Sequence, residues 1–301
     1  MTDNKSGVLI VNKPFGITSH DVVNKLRRLY GTKKVGHTGT LDPMATGVLP
    51  ILIGGAVKAS EYLMSDSKDY TAVMKLGIET DTEDTSGKTL ATSDKIPSDS
   101  ETEAVIRSFL GDYMQIPPMY SALKVNGEKL CDLARRGITV EREARPVKVF
   151  AISFVKLSHN EWEITTTVSK GTYIRTLIAD IGKKLGCGAA MSALERRSAG
   201  SFTIENSHTI DELEQMTEEE RYSLLVPTEQ LFSDCGEVIL PDFYTRLAKN
   251  GAEIYPSRAG ISTVPDIGER VRMKDSCGEF FALGEVREYP SGKAIKPIKF
   301  F

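Results

Sequence analysis

The stretch Gly36-His37-Thr38-Gly39-Thr40-Leu41-Asp42-Pro43-Met44-Ala45-Thr46-Gly47 sets the tightest limits on how this chain can fold. It places a single acid, Asp42, among three glycines and a proline. Pro43 fixes its own φ and steers Asp42 away from the α region. Gly36, Gly39 and Gly47 permit sharp turns or close backbone approach. The apolar run that follows, Val48 to Ile53, suits a buried strand or a helical turn. Asp42 therefore reads as a carboxylate on a stiff loop against an apolar wall. Such a wall penalises a carboxylate's charge, and a neighbouring cation relieves that penalty. The competing reading is a plain Leu-Asp-Pro turn whose acid bonds its own backbone.

What could meet that acid depends on the rest of the chain. With 301 residues, 40% hydrophobic and 26% charged, it suits a soluble globular protein of one large and one small domain, or two medium ones. The cysteines Cys131, Cys187, Cys235 and Cys277 are scattered without a C-x-x-C pair. That argues against a zinc site or a disulfide scaffold and for a reducing, cytoplasmic setting. The N-terminus, Met1 to Gly7, is polar and has no signal-peptide core, and no apolar run approaches the roughly 20 residues of a membrane helix. Charge is segregated: residues 1–60 carry eight Lys/Arg against three Asp/Glu, whereas residues 205–237 carry one against ten. A polyanion could use the basic segments while the acidic ones face away, although such segments are also ordinary solvated faces.

Taken in order, Val8 to Val11 reads as a strand, and Thr18 or Ser19 can cap a helix from His20 to Tyr30. Asp69 to Leu76 alternates as a strand does, with Tyr70 on one side. Glu79 to Gly87 is acidic and turn-rich, but its acids do not follow calcium-loop spacing. Ser100-x-x-Glu103 is a capping-box signature for a helix ending near Leu110. Pro117 and Pro118 impose extended backbone, and Lys124 to Arg145 forms a basic surface excursion with a short helix around Lys129 to Arg136. Trp162 to Val168 alternates as a strand. The helix after it carries Arg175 in its first turn, where a cation opposes the helix dipole and an anionic partner is the simplest explanation. Tyr173, by spacing alone, could be a core aromatic. Thr209-x-x-Glu212 caps an acidic helix to about Leu225. Beyond Cys235-Gly236 come a helix, Asp242 to Lys249, and short strands at Arg270 to Met273, Phe280 to Val286 and Lys293 to Phe300.

Five spaced segments together resemble the bacterial tRNA pseudouridine-55 synthase family. They are Lys13-Pro14-Phe15-Gly16-Ile17-Thr18-Ser19, the Asp42 stretch, Lys68-Asp69-Tyr70, Pro117 to Gly127, and Ser169-Lys170-Gly171-Thr172-Tyr173-Ile174-Arg175. Gly200-Ser201-Phe202 follows Leu194 much as in that family. One departure is Cys131, where the family usually has an aromatic residue. The resemblance implies an α+β pseudouridine-synthase fold: a central mixed, largely antiparallel sheet with flanking helices, plus a small C-terminal β-rich, PUA-like RNA-binding domain. It implies a catalytic domain over residues 1–235, with a thumb insertion at about 115–146, and the small domain over 236–301.

The implied reaction detaches uracil from C1′ of a T-loop uridine in tRNA, turns the ring and rejoins it through C5. The product is an isomer, so no cofactor, metal or nucleotide fuel is implied. Asp42 is the implied catalytic carboxylate; attack on C1′, addition to the ring and a glycal route stay open. Arg175 is its implied partner, Tyr70 stacks on the flipped base, and Tyr173 packs beside Asp42. His37, Lys13 and Lys124 are the implied RNA-binding residues. The implied partner is the T stem-loop of tRNA, for a cytoplasmic monomer with no membrane and no obligate protein partner. Two rival readings are a non-catalytic tRNA-folding helper and the related guide-RNA-dependent synthase, which acts within a protein complex.

Overall fold

The computed structural model describes residues 6–62, 67–125, 127–262 and 265–301. Asn126 of the thumb segment and the first five residues of the polar N-terminus lie outside them. A nine-stranded sheet forms the centre. Its main path runs Gly7–Lys13, Ala45–Ile53, Ala189–Ala199, Ser67–Leu76, Glu161–Ser169, Arg145–Lys156 and Gly111–Gln115. Every pairing along that path is antiparallel except that of Ala45–Ile53 with Ala189–Ala199. The architecture is thus α+β with a mixed, largely antiparallel sheet, as expected.

The apolar run after the Asp42 loop resolves as strand, buried along almost its whole length. Pro50 interrupts it without breaking it. A residue's N and O point the same way from an extended strand, and Pro50 O accepts from the Thr38 N–H. The N–H that Pro50 lacks would point to that same side. There the strand pairs with Ala189–Ala199 through Gly47 and with Val35–His37 from Ile51, leaving Val48 to Pro50 between two partners.

Helices Ser19–Leu29 and Ile174–Leu185 flank the sheet. The first is capped by Thr18 in a reciprocal box with Asp21, which frees Ser19 for another use. The second ends at Gly186 in the left-handed conformation. The major core joins Val22, Val23 and Leu26 of the first helix and Leu177, Ile178 and Ile181 of the second to Leu49, Ile51, Met74 and Trp162 of the sheet.

Two local expectations need correction, and one segment carried none. Ser98, not Ser100, caps helix Asp99–Arg107, through the Glu101 N–H, so the helix both starts and stops earlier. The acidic helix after Thr209 is two helices, Ile210–Gln215 and Glu218–Ser223. Met216 is extended between them, and Thr217 with Glu220 forms a second capping box that restarts the chain. Ala189–Ala199, an alanine- and charge-rich segment without a strand pattern, lies inside the central sheet. Pairing on both edges decides its state against weak local preference.

The thumb leaves the sheet after Gln115 and returns at Arg145. It holds the paired segments Lys124–Val125 and Glu128–Lys129 and the short helix Leu130–Arg135. The last part of the chain is a separate four-stranded sheet, Gly236–Ile239, Arg270–Lys274, Phe280–Tyr289 and Gly292–Phe300, with its own core around Val271, Met273 and Ile295. It docks on the first sheet's domain through Phe232, which packs with Tyr62, Phe280 and Phe301. Glu229 receives both Arg272 and Lys274 across the same junction. Among the described residues no helix is long and apolar enough to cross a membrane.

Candidate active site

The loop carrying Asp42 is braced on both sides by the N-terminal segment. Ser19 Oγ accepts from the Leu41 N–H at 2.9 Å and donates to Leu41 O at 3.1 Å, so one hydroxyl holds the residue before Asp42. Pro43 O, just after it, accepts from the Gly16 N–H at 2.8 Å and from Lys13 Nζ at 3.2 Å. Lys13 Nζ also donates to Pro14 O and Ile17 O, and the side chain is completely buried. Three donors on three carbonyls leave none for RNA. Lys13, expected to bind RNA, here ties the loop from beneath. Burial pulls its pKa down to about 8, against the opposing charge of Asp42.

The Asp42 carboxylate does not close a turn on its own backbone. Oδ2 accepts from Arg175 Nε at 2.8 Å and Oδ1 from Arg175 Nη2 at 3.3 Å, a two-point pairing with a planar fork. About a third of the Asp42 side chain remains exposed, whereas that of Arg175 is 5% exposed. The acid is thus held from one side and open on the other.

Arg175 uses its remaining donors on the backbone. Nη1 donates to Thr82 O and Nη2 to Tyr120 O, each at 2.8 Å. Asp84 Oδ2 stands 4.0 Å from Nε, while its other oxygen is occupied by Thr82 Oγ1, Ser86 Oγ and the Ser86 N–H. The anionic partner asked for by a cation in a helix's first turn is Asp42, with buried Asp84 behind it. Thr82, Asp84 and Tyr120 were not singled out from sequence. The signal that could have found Asp84 was the Asp-x-Ser turn in the acidic segment; nothing local marks Thr82 or Tyr120, which act through their carbonyls.

Tyr173 precedes the helix and has no side-chain cap of its own. Gln115, at the thumb's root, supplies one: Oε1 accepts from the Tyr173 N–H at 2.8 Å and Nε2 donates to Tyr173 O at 3.0 Å. Burial pushes the Tyr173 phenol up, with the Ser121 hydroxyl and Arg175 pulling the other way and Asp42 adding to the rise. Tyr70 is 7% exposed and shares the main core with Leu41 and Leu194; in strand register it lies opposite Arg196 and Thr166. His37 ends the short strand beside Ile51, and burial, then Arg196 and His20, lowers its pKa. Lys124 is exposed on the thumb, where with Lys129 and Arg136 it lines an open cleft of about 490 Å³ that Glu128 and Asp132 share. The structure thus joins Asp42, Arg175 and Tyr173 in one cluster with Lys13 beneath it, and sets Lys124 out on the insertion.

The arrangement is that of a fixed carboxylate at the edge of an apolar sheet. It suits chemistry at an electron-poor carbon brought in from solvent. Comparison with known proteins points the same way. Residues 27–174 match the model described as TruB family pseudouridylate synthase, N-terminal domain, and residues 175–233 match the tRNA pseudouridylate synthase B C-terminal domain. A Clostridium tetani protein called tRNA pseudouridine synthase B is 46% identical over 281 residues, spanning 93% of this chain and 95% of its own length. A Francisella tularensis protein of the same name is 40% identical over 300 residues, covering 99% of this chain and 95% of its own. Among solved structures, a chain of a Cbf5-Nop10-Gar1 complex superposes with a TM-score of 0.71 at 26% identity, covering 99% of this chain and 85% of the other. With relatives this similar along nearly their whole length, and with the motif residues gathered around one buried arginine, the chain belongs to the TruB family of pseudouridylate synthases.

Proposed function

We propose that this protein converts uridine 55 in the T loop of tRNA to pseudouridine, with Asp42 as its catalytic carboxylate. The observation that carries the reading is the half-open Asp42 carboxylate, fixed at two points by a buried arginine. The name shared by its relatives, tRNA pseudouridine synthase B, supports the substrate.

The reaction breaks the C1′–N1 bond and forms C1′–C5. N1 leaves with the electron pair, the C5 proton is lost once C5 has bonded, and N1 regains a proton. The transition state leaves C1′ short of electrons, and an anion held at fixed angle stabilises it. Arg175 keeps the carboxylate from rotating away, and Ser19, Gly16 and Lys13 keep its loop from moving. The target base must leave the loop's stack to reach Asp42, and an aromatic face replaces what it loses. Tyr70 takes that role and Tyr173 packs beside Asp42. His37 helps to hold the base outside the T loop. Lys124 and the thumb contact phosphates, which position the RNA without reading sequence, and the small β domain adds a further RNA surface.

The test is the purified chain alone with a T stem-loop hairpin, mapping pseudouridine by position. Product at the position of uridine 55, and none when that uridine is replaced by cytidine, is the expected result. Absence of product until other proteins are added would favour assembly-dependent action instead. EDTA should leave turnover of a prefolded hairpin unchanged, because the reading routes no step through a metal; inhibition reversed by a divalent cation would overturn that point. Tyr70→Leu should lower single-turnover rate by about 10²-fold while affinity changes less than about tenfold, since stacking on one base is worth roughly 1–3 kcal/mol. An unchanged rate would remove Tyr70 from the base-stacking role.

A further inference from the structure

Arg196 lies on strand Ala189–Ala199 beside the Asp42 loop, and nothing in the reaction above uses it. It is 1% exposed, the bulkiest of the fully buried side chains. Nε donates to Val48 O at 2.7 Å and Nη2 to Gly39 O at 3.1 Å. Among the described residues no carboxylate lies within 4.0 Å of it. A buried cation held only by neutral carbonyls is costly to keep, so its position needs a reason.

That reason lies in which carbonyls it holds. Gly39 is three residues before Asp42 and Val48 six residues after it, so one guanidinium spans both limbs of the loop. Val48 falls in the break between the two strands that pair one edge of Ala45–Ile53, with Asn12 opposite it on the other edge. The Arg196 side chain donates to Val48 O within that break.

Two of the glycines that mark the motif are shaped against the same residue. Gly47 has φ +98°, and a Cβ there would lie 2.2 Å from Arg196 O. Gly39 has φ +80°, and its Cβ would come within 3.4 Å of Arg196 Nη1. Gly36 has neither a positive φ nor a close neighbour. Gly47 thus lets the Arg196 backbone approach closely, and Gly39 leaves room beside its guanidinium.

We propose that Arg196 is a positioning residue for Asp42, splinting the two limbs of its loop so that the carboxylate meets Arg175 and the nucleotide at a fixed angle. This rests on Asp42 being the catalytic carboxylate. Arg196 is too buried to touch RNA, so its effect falls on rate and not on affinity. A planar fork reaches two carbonyls lying in different directions; a lysine ammonium keeps the charge but not that span.

Single-turnover rate and hairpin affinity should be measured for the wild type, Arg196→Gln, Arg196→Lys and Asp42→Asn side by side. Arg196→Gln is expected to lose at least about 10²-fold in rate, the scale set by small misplacements of a reacting group, with Kd within about threefold. Arg196→Lys should fall between the two. A wild-type rate in Arg196→Gln overturns the proposal, and so does equal loss of rate and affinity. If Arg196→Gln does not fold by circular dichroism, Arg196→Lys decides: reduced rate at unchanged Kd supports positioning, and full rate overturns it. Failure of both to fold overturns it in favour of a purely structural role. An active Asp42→Asn removes the reading of Asp42 itself, whereas an inactive Asp42→Asn beside a fully active Arg196→Gln removes only the role of Arg196.

Discussion

Asp42→Asn will lower turnover by at least about 10⁴-fold while leaving affinity for the T stem-loop within about tenfold. The substitution keeps shape and one accepting oxygen, so one bond to Arg175 survives, and Thr82 O and Tyr120 O still hold the guanidinium in place. What is lost is the anion facing the open side of the site. Loss of a nucleophile or of a charge-stabilising group at the reacting centre has effects of this size. RNA affinity is spread over many phosphate contacts, so one buried-edge carboxylate has little share in it. Rate under single-turnover conditions and Kd by filter binding separate the two. Equal losses in both would count against a chemical role for Asp42.

Arg175→Lys should be the second most damaging change, although it preserves charge. Arg175 makes four hydrogen bonds in three directions, two to Asp42 and one each to Thr82 O and Tyr120 O. An ammonium has three donors at a single point and cannot span those acceptors. At least one carbonyl is left buried without a donor, at about 1–3 kcal/mol. In a chain of this size that lowers Tm by roughly 2–4 °C for each kcal/mol. The carboxylate regains freedom to rotate, and the expected fall in single-turnover rate is about 10³-fold. Calorimetry and rapid-quench kinetics check the two parts independently. A lysine variant with wild-type turnover would show that Asp42 needs a nearby charge and not a fork.

The thumb root explains why these effects should extend beyond the pair. Gln115 holds both sides of the Tyr173 peptide, and Arg175 reaches Tyr120 O in the same extended segment. The insertion proposed to meet RNA and the helix that fixes Asp42 are thus joined by backbone-directed bonds. Pro117 and Pro118 keep that segment extended, so the carbonyl of Tyr120 is presented to the guanidinium and not consumed by a helix.

Much of the site was legible because it is local. A proline after an acid, glycines on both sides and an apolar run behind it are statements about neighbouring residues, and they marked Asp42 as a stiffly held carboxylate. A cation in the first turn of a helix is likewise a local anomaly, and it marked Arg175 as needing an anion. Thr18, offered beside Ser19 as a cap, and Thr209 with Glu212 announced helix starts for the same reason. No local pattern says which anion Arg175 meets, because the two residues are 133 positions apart; the family resemblance named Asp42, and the tertiary structure brings them together. It alone made a strand of Ala189–Ala199, whose composition carries no strand signal, by pairing both its edges inside the sheet. It also showed Lys13, expected to contact RNA, and Arg196, which sequence reasoning passed over, to be buried cations bonded to carbonyls. A side chain's local sequence sets what it can donate or accept; which distant backbone atoms are left needing it depends on how strands align, and that is settled only when the sheet closes.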